Sequence, residues 1–429
     1  MRRGELPPAV LRFAKHCMLD WFGVALAGAR EPVSRIVFEQ LARADGGDEA
    51  TLLGFGRRAS LATAALMNGT SSHALDYDDT HWGMQGHPSA PVLGALLALA
   101  ERERAGGAAL LAAFVAGVEV ECLLGRWLNP EHYARGFHAT GTLGSFGAAA
   151  AAAHLLELDE RAWQHAFGLA GTQAAGLKSG FGTMAKPFHA GRAAQSGLGA
   201  ALLAAAGFEA NPEILDDPQG FAATHGAPLA QPSSDPEGWL ILDTLFKYHA
   251  ACHLTHATIE GLRELMRTQA LTPAAVSGIE LRVDPSCLGV CNIERPETGL
   301  QAKFSLKATA ALALLGDDTS DPSTFHDARA TAADVVALMR RVQVRAQPMA
   351  ATRSEVRVTR RDGVALSTVH DSGIPARDLA DQQTRLRHKF ERLCPLPTES
   401  TRALADRILS LEQLPNLDPL LELIGSPYP

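Results

Sequence analysis

The chain has 429 residues, of which 46% are hydrophobic, 20% charged and 6% aromatic, a globular composition on a length that favours two domains over one. Its net charge is −8, its sequence pI is near 6.1, and no dense Lys/Arg run occurs, which argues against a nucleic-acid footprint and against an anionic-membrane surface. A small anionic substrate remains open, because a few placed cations act locally.

From Pro7 onward the periodicity is helical. Val10, Leu11, Ala14, Cys17, Met18, Trp21 and Phe22 recur at three- and four-residue steps after prolines suited to a helix start, and Gly28 is a plausible stop. Met1 to Glu5 and the helix bearing Lys15 and Asp20 lack the unbroken apolar stretch of a signal peptide. The alanine runs, such as 148–153, are too short to span a bilayer. The reading is a cytoplasmic protein. Further helices are predicted at about 59–74, 90–104, 107–126, 141–156, 159–177, 190–205 and 254–268, with Ala- and Gly-rich faces that let helices approach closely. After about residue 270 the period changes. Val276, Ile279, Leu281 and Val283 nearly alternate with polar residues, and Val356 to Leu366 reads as two strands joined at Asp362-Gly363. Helical patterns intervene at about 303–315 and 330–341, and return from about Leu379 to Leu423.

Cys17, Cys122, Cys252, Cys287, Cys291 and Cys394 are scattered without a Cys-x-x-Cys pair, the pattern of reduced thiols and not of a zinc or iron–sulfur site. The chemistry-bearing residues lie elsewhere. The stretch His73 to Pro88 gathers Asp76, Asp78, Asp79, Thr80, His73, His81 and His87 in an otherwise apolar chain. Asp and His are seldom buried without a partner, so the cluster points to a polar pocket for proton transfer, against the plainer reading of an acidic helix end and a solvated loop. Three more polar islands follow. One is Gly136 to Thr142 with His138, which by itself reads as structural. Another carries Lys186, His189 and Arg192 before a predicted helix start, an arrangement suited to a carboxylate, or else a solvated cationic loop. The third runs from Lys247 to His256; its His253 and His256 share a helix face but lack the neighbouring Glu of a zincin.

The order and wording of these islands resemble the MmgE/PrpD family, which includes 2-methylcitrate dehydratase, cis-aconitate decarboxylase and iminodisuccinate epimerase. The resemblance covers nearly the whole chain: the opening helix ending Leu19-Asp-Trp-Phe-Gly-Val-Ala-Leu-Ala-Gly28, the Asn68 to Pro88 cluster, the His138, Lys186 and Lys247–His256 islands, Lys303-Phe-Ser-Leu306 and Lys389-Phe390. It implies an all-α helical domain made of residues 1–266 with 386–429, a smaller α+β lid domain at 267–385, a homodimer, and no metal or organic cofactor. It further implies that Asp76, Thr80, His87, His138, Lys186 and His256 line a cleft. The loop between Thr80 and His87 is about one residue longer than in decarboxylase-like members. Ala308 stands where many members carry an aromatic, often Tyr.

The family's reactions place or remove a proton on a carbon beside a carboxylate or imine while negative charge is held in place. The expected roles are acid/base work for His87 and His138, orientation or proton donation by Asp76, and completion of the pocket by His256. Thr80, Lys186, His189 and Arg192 are expected to bind substrate. The leading expectation is a cofactor-independent, dehydratase-like lyase of a small di- or tricarboxylate. The alternatives are an epimerase of an imino- or amino-dicarboxylate, a cis-aconitate-type decarboxylase, and a binding protein without activity.

Overall fold

A computed structural model describes residues 6–226 and 238–424; Met1 to Glu5, read above as lacking a leader's apolar stretch, lie outside them. The described chain divides into two compact units. One comprises residues up to 180, 184–246 and 375 onward; the other comprises 181–183 and 247–374.

The first unit is helical and uses both chain ends. Pro8–Gly28 packs on Leu379–Leu393, so residues far apart in sequence share a core. Within this core, Leu61–His73, Ser89–Arg102, Gly107–Leu128, Ala139–Leu155 and Ala185–Ala205 cross closely. Glycine makes the crossing: a Cβ on Gly191 would fall 2.1 Å from Thr70 Oγ1, and one on Gly94 would fall 2.9 Å from Gly69 Cα. Leu61–His73 is thereby held between the Ser89 and Ala185 helices, about one turn from His73 on one side and from Lys186 on the other. Gly107–Leu128 is long and apolar enough by composition to cross a membrane, and two-thirds of its most apolar window is buried in the unit. Its Glu119 accepts the Leu240 and Ile241 N–H groups at 3.1 and 2.8 Å, the behaviour of a core helix. Two short strand pairs complete the unit: β1 (Ala50–Leu52) with β2 (Arg57–Ala59), and β3 (Thr80–His81) with β4 (Thr244–Leu245), both antiparallel.

The second unit is α+β. Its sheet has the order β6-β5-β7-β8, from β5 (Val276–Val283), β6 (Val342–Ala346), β7 (Arg353–Arg360) and β8 (Ala365–Asp371). β5 pairs parallel with β6 and antiparallel with β7, and the β7–β8 hairpin turns at Gly363, whose φ of 86° is why Asp-Gly marks such a turn. The helix His256–Thr268 packs on β7 and β8 and on Leu306–Leu315. Its place in this unit puts the division between the compact units at 246/247, where the family resemblance implied 266/267. The return falls at 375, where the resemblance implied 386; the Asp378-capped helix Leu379–Leu393 packs mainly on Pro8–Gly28 and also on Thr398–Leu409.

Candidate active site

The sharpest polar feature of the helical unit begins where Leu61–His73 ends. Asp76 adopts φ 52°, a left-handed turn that Asp tolerates better than most residues, and the chain reverses so that Asp76 and Asp78 both face back toward His73. The loop is pinned from the far chain end: Lys389 Nζ donates to Tyr77 O at 2.6 Å and to Asp20 at 2.6 Å, and lies 3.9 Å from the Tyr77 ring centroid. That contact gives the Lys389-Phe390 motif its structural meaning.

Asp78 is fully buried and bridges two imidazoles. Its oxygens lie 2.9 Å from His73 Nδ1, and one lies 3.2 Å from His87 Nδ1. The two rings meet edge-on, with centroids 4.3 Å apart. Burial would raise the Asp78 carboxyl, but the attraction and hydrogen bonds of His73 and His87 outweigh it and hold it well below the usual range. Burial also lowers His73, against the pull of Asp78. An ionised Asp78 accepts the His73 Nδ1–H, which leaves the His73 lone pair on Nε2, and the same carboxylate lies 3.2 Å from His87 Nδ1. Among the described residues, His73 Nε2 is buried with no hydrogen-bond partner.

Lys186 enters from the first turn of Ala185–Ala205, where Pro187 costs no helical hydrogen bond. The residue is 4% exposed, and its ammonium lies 2.5 Å from Asp76 Oδ1 and 3.4 Å from His87 Nε2, which is itself 3.6 Å from Asp76. On the other side of His73 the His138 ring stacks with its centroid 5.8 Å away, and His138 Nδ1 lies 3.1 Å from His189 Nδ1. Burial, then the charges of Lys186 and the neighbouring histidines, lower His138 well below 6.5. His189, half-buried, is lowered to about 4, first by burial and then by His73 and Lys186. Thr140 holds the loop by accepting the His87 backbone N–H at 3.0 Å.

Five of the predicted residues therefore come together in one unit: Asp76, His87, His138, Lys186 and His189. Thr80 is buried on β3, opposite Leu245. Arg192 is not brought to the cluster. Its helix starts at Ala185, not near 190, so Arg192 lies almost two turns inside it, exposed and bonded to Gln195. His256 lies in the second unit, with Nε2 3.2 Å from Ala251 O and its ring stacked 4.8 Å from His253. His81 turns away to structural work: Nε2 lies 2.9 Å from Leu240 O, and Nδ1 accepts the Met84 N–H. His73 and Asp78 belong to the site although no role was assigned to them from sequence. Their signal was the five-residue spacing across a helix end, which becomes a contact only through the left-handed Asp76. Ala308, fully buried, donates its backbone N–H to Ser305 Oγ at 3.2 Å in a helix cap, so no hydroxyl stands at that position.

His73, Asp76, Asp78 and His87 offer donor atoms within 4.8 Å of one another, a spacing that would suit a divalent metal. The Lys186 ammonium already lies against that group, on Asp76, and a dication beside it would meet its repulsion. The donor set thus fits a lysine-based cation better than a metal.

Residues 1–229 match the family model described as the MmgE/PrpD N-terminal domain, and residues 249–413 match the MmgE/PrpD C-terminal domain. The chain is 29% identical to the cis-aconitate decarboxylase of Homo sapiens over 457 residues, covering 100% of this chain and 93% of that protein. The Mus musculus cis-aconitate decarboxylase is 29% identical, covering 98% and 91%. That of Aspergillus terreus is 26% identical, covering 99% and 93%.

Proposed function

The chain belongs to the MmgE/PrpD family of enzymes, and we propose that it is a lyase that decarboxylates a small unsaturated tricarboxylate of the cis-aconitate type by proton transfer from side chains, without a metal or organic cofactor. The observation that carries this reading is the buried Lys186 ammonium, set between the Asp76 carboxylate and the Nε2 of a histidine whose Nδ1 lies 3.2 Å from Asp78. Decarboxylation leaves its electron pair on carbon beside a remaining carboxylate. A preorganised ammonium stabilises that charge in a site removed from water. His87 and His138 flank His73 and supply the proton that replaces the departing carboxyl group. Asp76 orients Lys186 and sets where the substrate carboxylate meets it. His189 lies at the edge of this cluster, and Arg192 has no part in it.

The relatives named as decarboxylases support carbon–carbon cleavage over loss of water. Dehydration of a hydroxylated tricarboxylate, the leading expectation from the sequence, is the second reading; Ala308, where many family members carry an aromatic, is the one feature that favours a binding protein without activity. Incubation with citrate-, aconitate- and iminodisuccinate-type acids in deuterated water, followed by NMR, separates the readings. Release of carbon dioxide with one deuteron on the product carbon is expected. Loss of water, or exchange at a stereocentre without loss of carbon, would replace the proposal by its competitors. Turnover is expected to survive exhaustive chelation, and activity lost to EDTA and returned by one specific metal would overturn the cofactor-free part.

A further inference from the structure

Three reduced thiols, those of Cys252, Cys287 and Cys291, meet in the second unit, and the Lys303-Phe-Ser-Leu306 motif brings them together. The Cys252 N–H donates to Lys303 O at 3.0 Å, the Ile293 N–H to Phe304 O at 3.0 Å, and the Leu306 N–H to Cys291 O at 2.9 Å. One short run of backbone thus fixes two cysteines that lie far apart in sequence. Cys287 joins through the turn in which the Cys291 N–H donates to Cys287 O at 2.9 Å. The Cys291 thiol is hydrogen-bonded with the thiols of Cys252 and Cys287, so its sulfur needs little movement to bond either one. The two neighbours are not equivalent. Cys287 is fully buried and its thiol also donates to Ala351 O at 3.4 Å, whereas Cys252 is 7% exposed.

We propose that Cys252 and Cys291 form a peroxide-sensitive thiol pair, which closes reversibly to a disulfide and thereby displaces His256. Cys252 is the thiol that an oxidant little larger than water reaches. Its thiolate attacks one oxygen of hydrogen peroxide and the O–O bond breaks. The other oxygen leaves as hydroxide and becomes water with the proton the thiol gave up, and Cys252 becomes a sulfenic acid. Hydrogen bonds to Cys252 and Cys287, then burial, push the Cys291 thiol up, so it keeps its proton until that acid forms beside it. The Cys291 sulfur then attacks the Cys252 sulfur, the S–O bond breaks, and the departing hydroxide takes the Cys291 proton as a second water. Two thiols have lost two electrons and two protons, and one peroxide has become two waters. Cys252 opens the turn that leads to His256. Its carbonyl accepts the Thr255 N–H at 2.9 Å and the Thr255 hydroxyl at 2.8 Å, and His256 Nε2 lies 3.2 Å from Ala251 O. Drawing Cys252 toward Cys291 moves the carbonyl on which this imidazole rests. Since the family resemblance makes His256 a pocket residue, closure lowers turnover.

The test treats the full chain with hydrogen peroxide, alkylates the remaining thiols and maps the peptides by mass spectrometry. Turnover is followed on whichever acid wild type converts in the NMR panel. A linked Cys252–Cys291 peptide is expected, with most of the turnover lost and then regained on adding dithiothreitol. Cys291→Ser should keep the wild-type kcat before oxidation, form no link, and let Cys252 proceed to the sulfinic acid, which dithiothreitol does not repair. Cys287→Ser should still close the pair. Cys17, Cys122 and Cys394, buried in the first unit, are the internal reference. The pair is overturned if these three oxidise as fast as Cys252, or if the link joins Cys287 to Cys291 instead. A Cys252–Cys291 link that leaves turnover unchanged overturns the displacement of His256. The wild-type map decides the pairing even if a variant folds poorly, and because it is read by mass, a substrate of another class leaves it standing.

Discussion

Lys186 Nζ lies 2.5 Å from Asp76 Oδ1 with both side chains removed from water, so the cation of this site is also half of a buried ion pair. Breaking such a pair leaves the other charge buried and unmatched, which typically costs about 3–5 kcal/mol of stability. Lys186→Met is therefore expected to lose stability as well as rate, the rate by about 2–5 kcal/mol, or roughly 30- to 5,000-fold. A second change separates the two effects. Lys186→Met with Asp76→Asn should regain most of the stability in urea melts and none of the rate. If the double variant recovers turnover, the ammonium has no role in the reaction.

Asp78→Asn tests the tautomers. The carboxylate accepts the His73 Nδ1–H and lies 3.2 Å from His87 Nδ1, whereas an amide can accept through one oxygen and must donate through its nitrogen. One ring, or both, would then turn its lone pair to Nδ1. A loss in kcat of about 100-fold or more is expected with little change in KM, accompanied by a change in the ¹⁵N shifts that report which ring nitrogen carries hydrogen. Unchanged shifts together with unchanged kcat would mean that the bridge plays no part in catalysis.

Much of this arrangement was legible in the sequence, for identifiable reasons. Helix positions followed from apolar spacing, and the β7–β8 hairpin from Asp362-Gly363. The polar islands stood out because an alanine-rich core has no packing use for them. What was not legible depended on long-range geometry. β6 alternates over only five residues, Val342–Ala346, and becomes a strand by pairing parallel with β5, a partner more than sixty residues away in sequence. Arg192 was grouped with Lys186 by proximity in sequence, but the early helix start at Ala185 turns it to solvent. His73 and Asp78 needed the left-handed Asp76 between them before their spacing could mean contact.

Acid stability should be set by histidines. Burial comes first among the causes that lower His16, His81 and His132 to about 4. In the unfolded chain each binds a proton near pH 6.5, while in the fold each stays neutral until about pH 4. The unfolded state thus holds more protons in this window, and stability, complete above pH 6.5, is lost as the pH falls toward 4. Each such group contributes a slope of about 1.4 kcal/mol per pH unit. Urea midpoints measured from pH 7 to 4 should fall steeply, and a flat profile would show that these rings are solvated in the fold.

Asp79 works in the opposite direction. Full burial, then the nearby Asp20 charge, raise its carboxyl to about 8, even though Ser89 donates to it through both its hydroxyl and its backbone N–H. In the fold it keeps its proton between about pH 4 and 8, whereas in the unfolded chain it has lost it. Unfolding therefore releases a proton across that range, and the contribution of Asp79 to stability declines as the pH rises, by about 1.4 kcal/mol per unit. An Asn side chain imitates the protonated acid: its oxygen accepts the Ser89 N–H and its amide can donate to the Ser89 hydroxyl. The histidines are common to both proteins and cancel in the difference. The stability of Asp79→Asn minus that of wild type should accordingly climb from pH 5 to 8 and level off above. A difference that does not change with pH would show that Asp79 is ionised in the fold and that the N-terminus of the Ser89–Arg102 helix is held by a carboxylate.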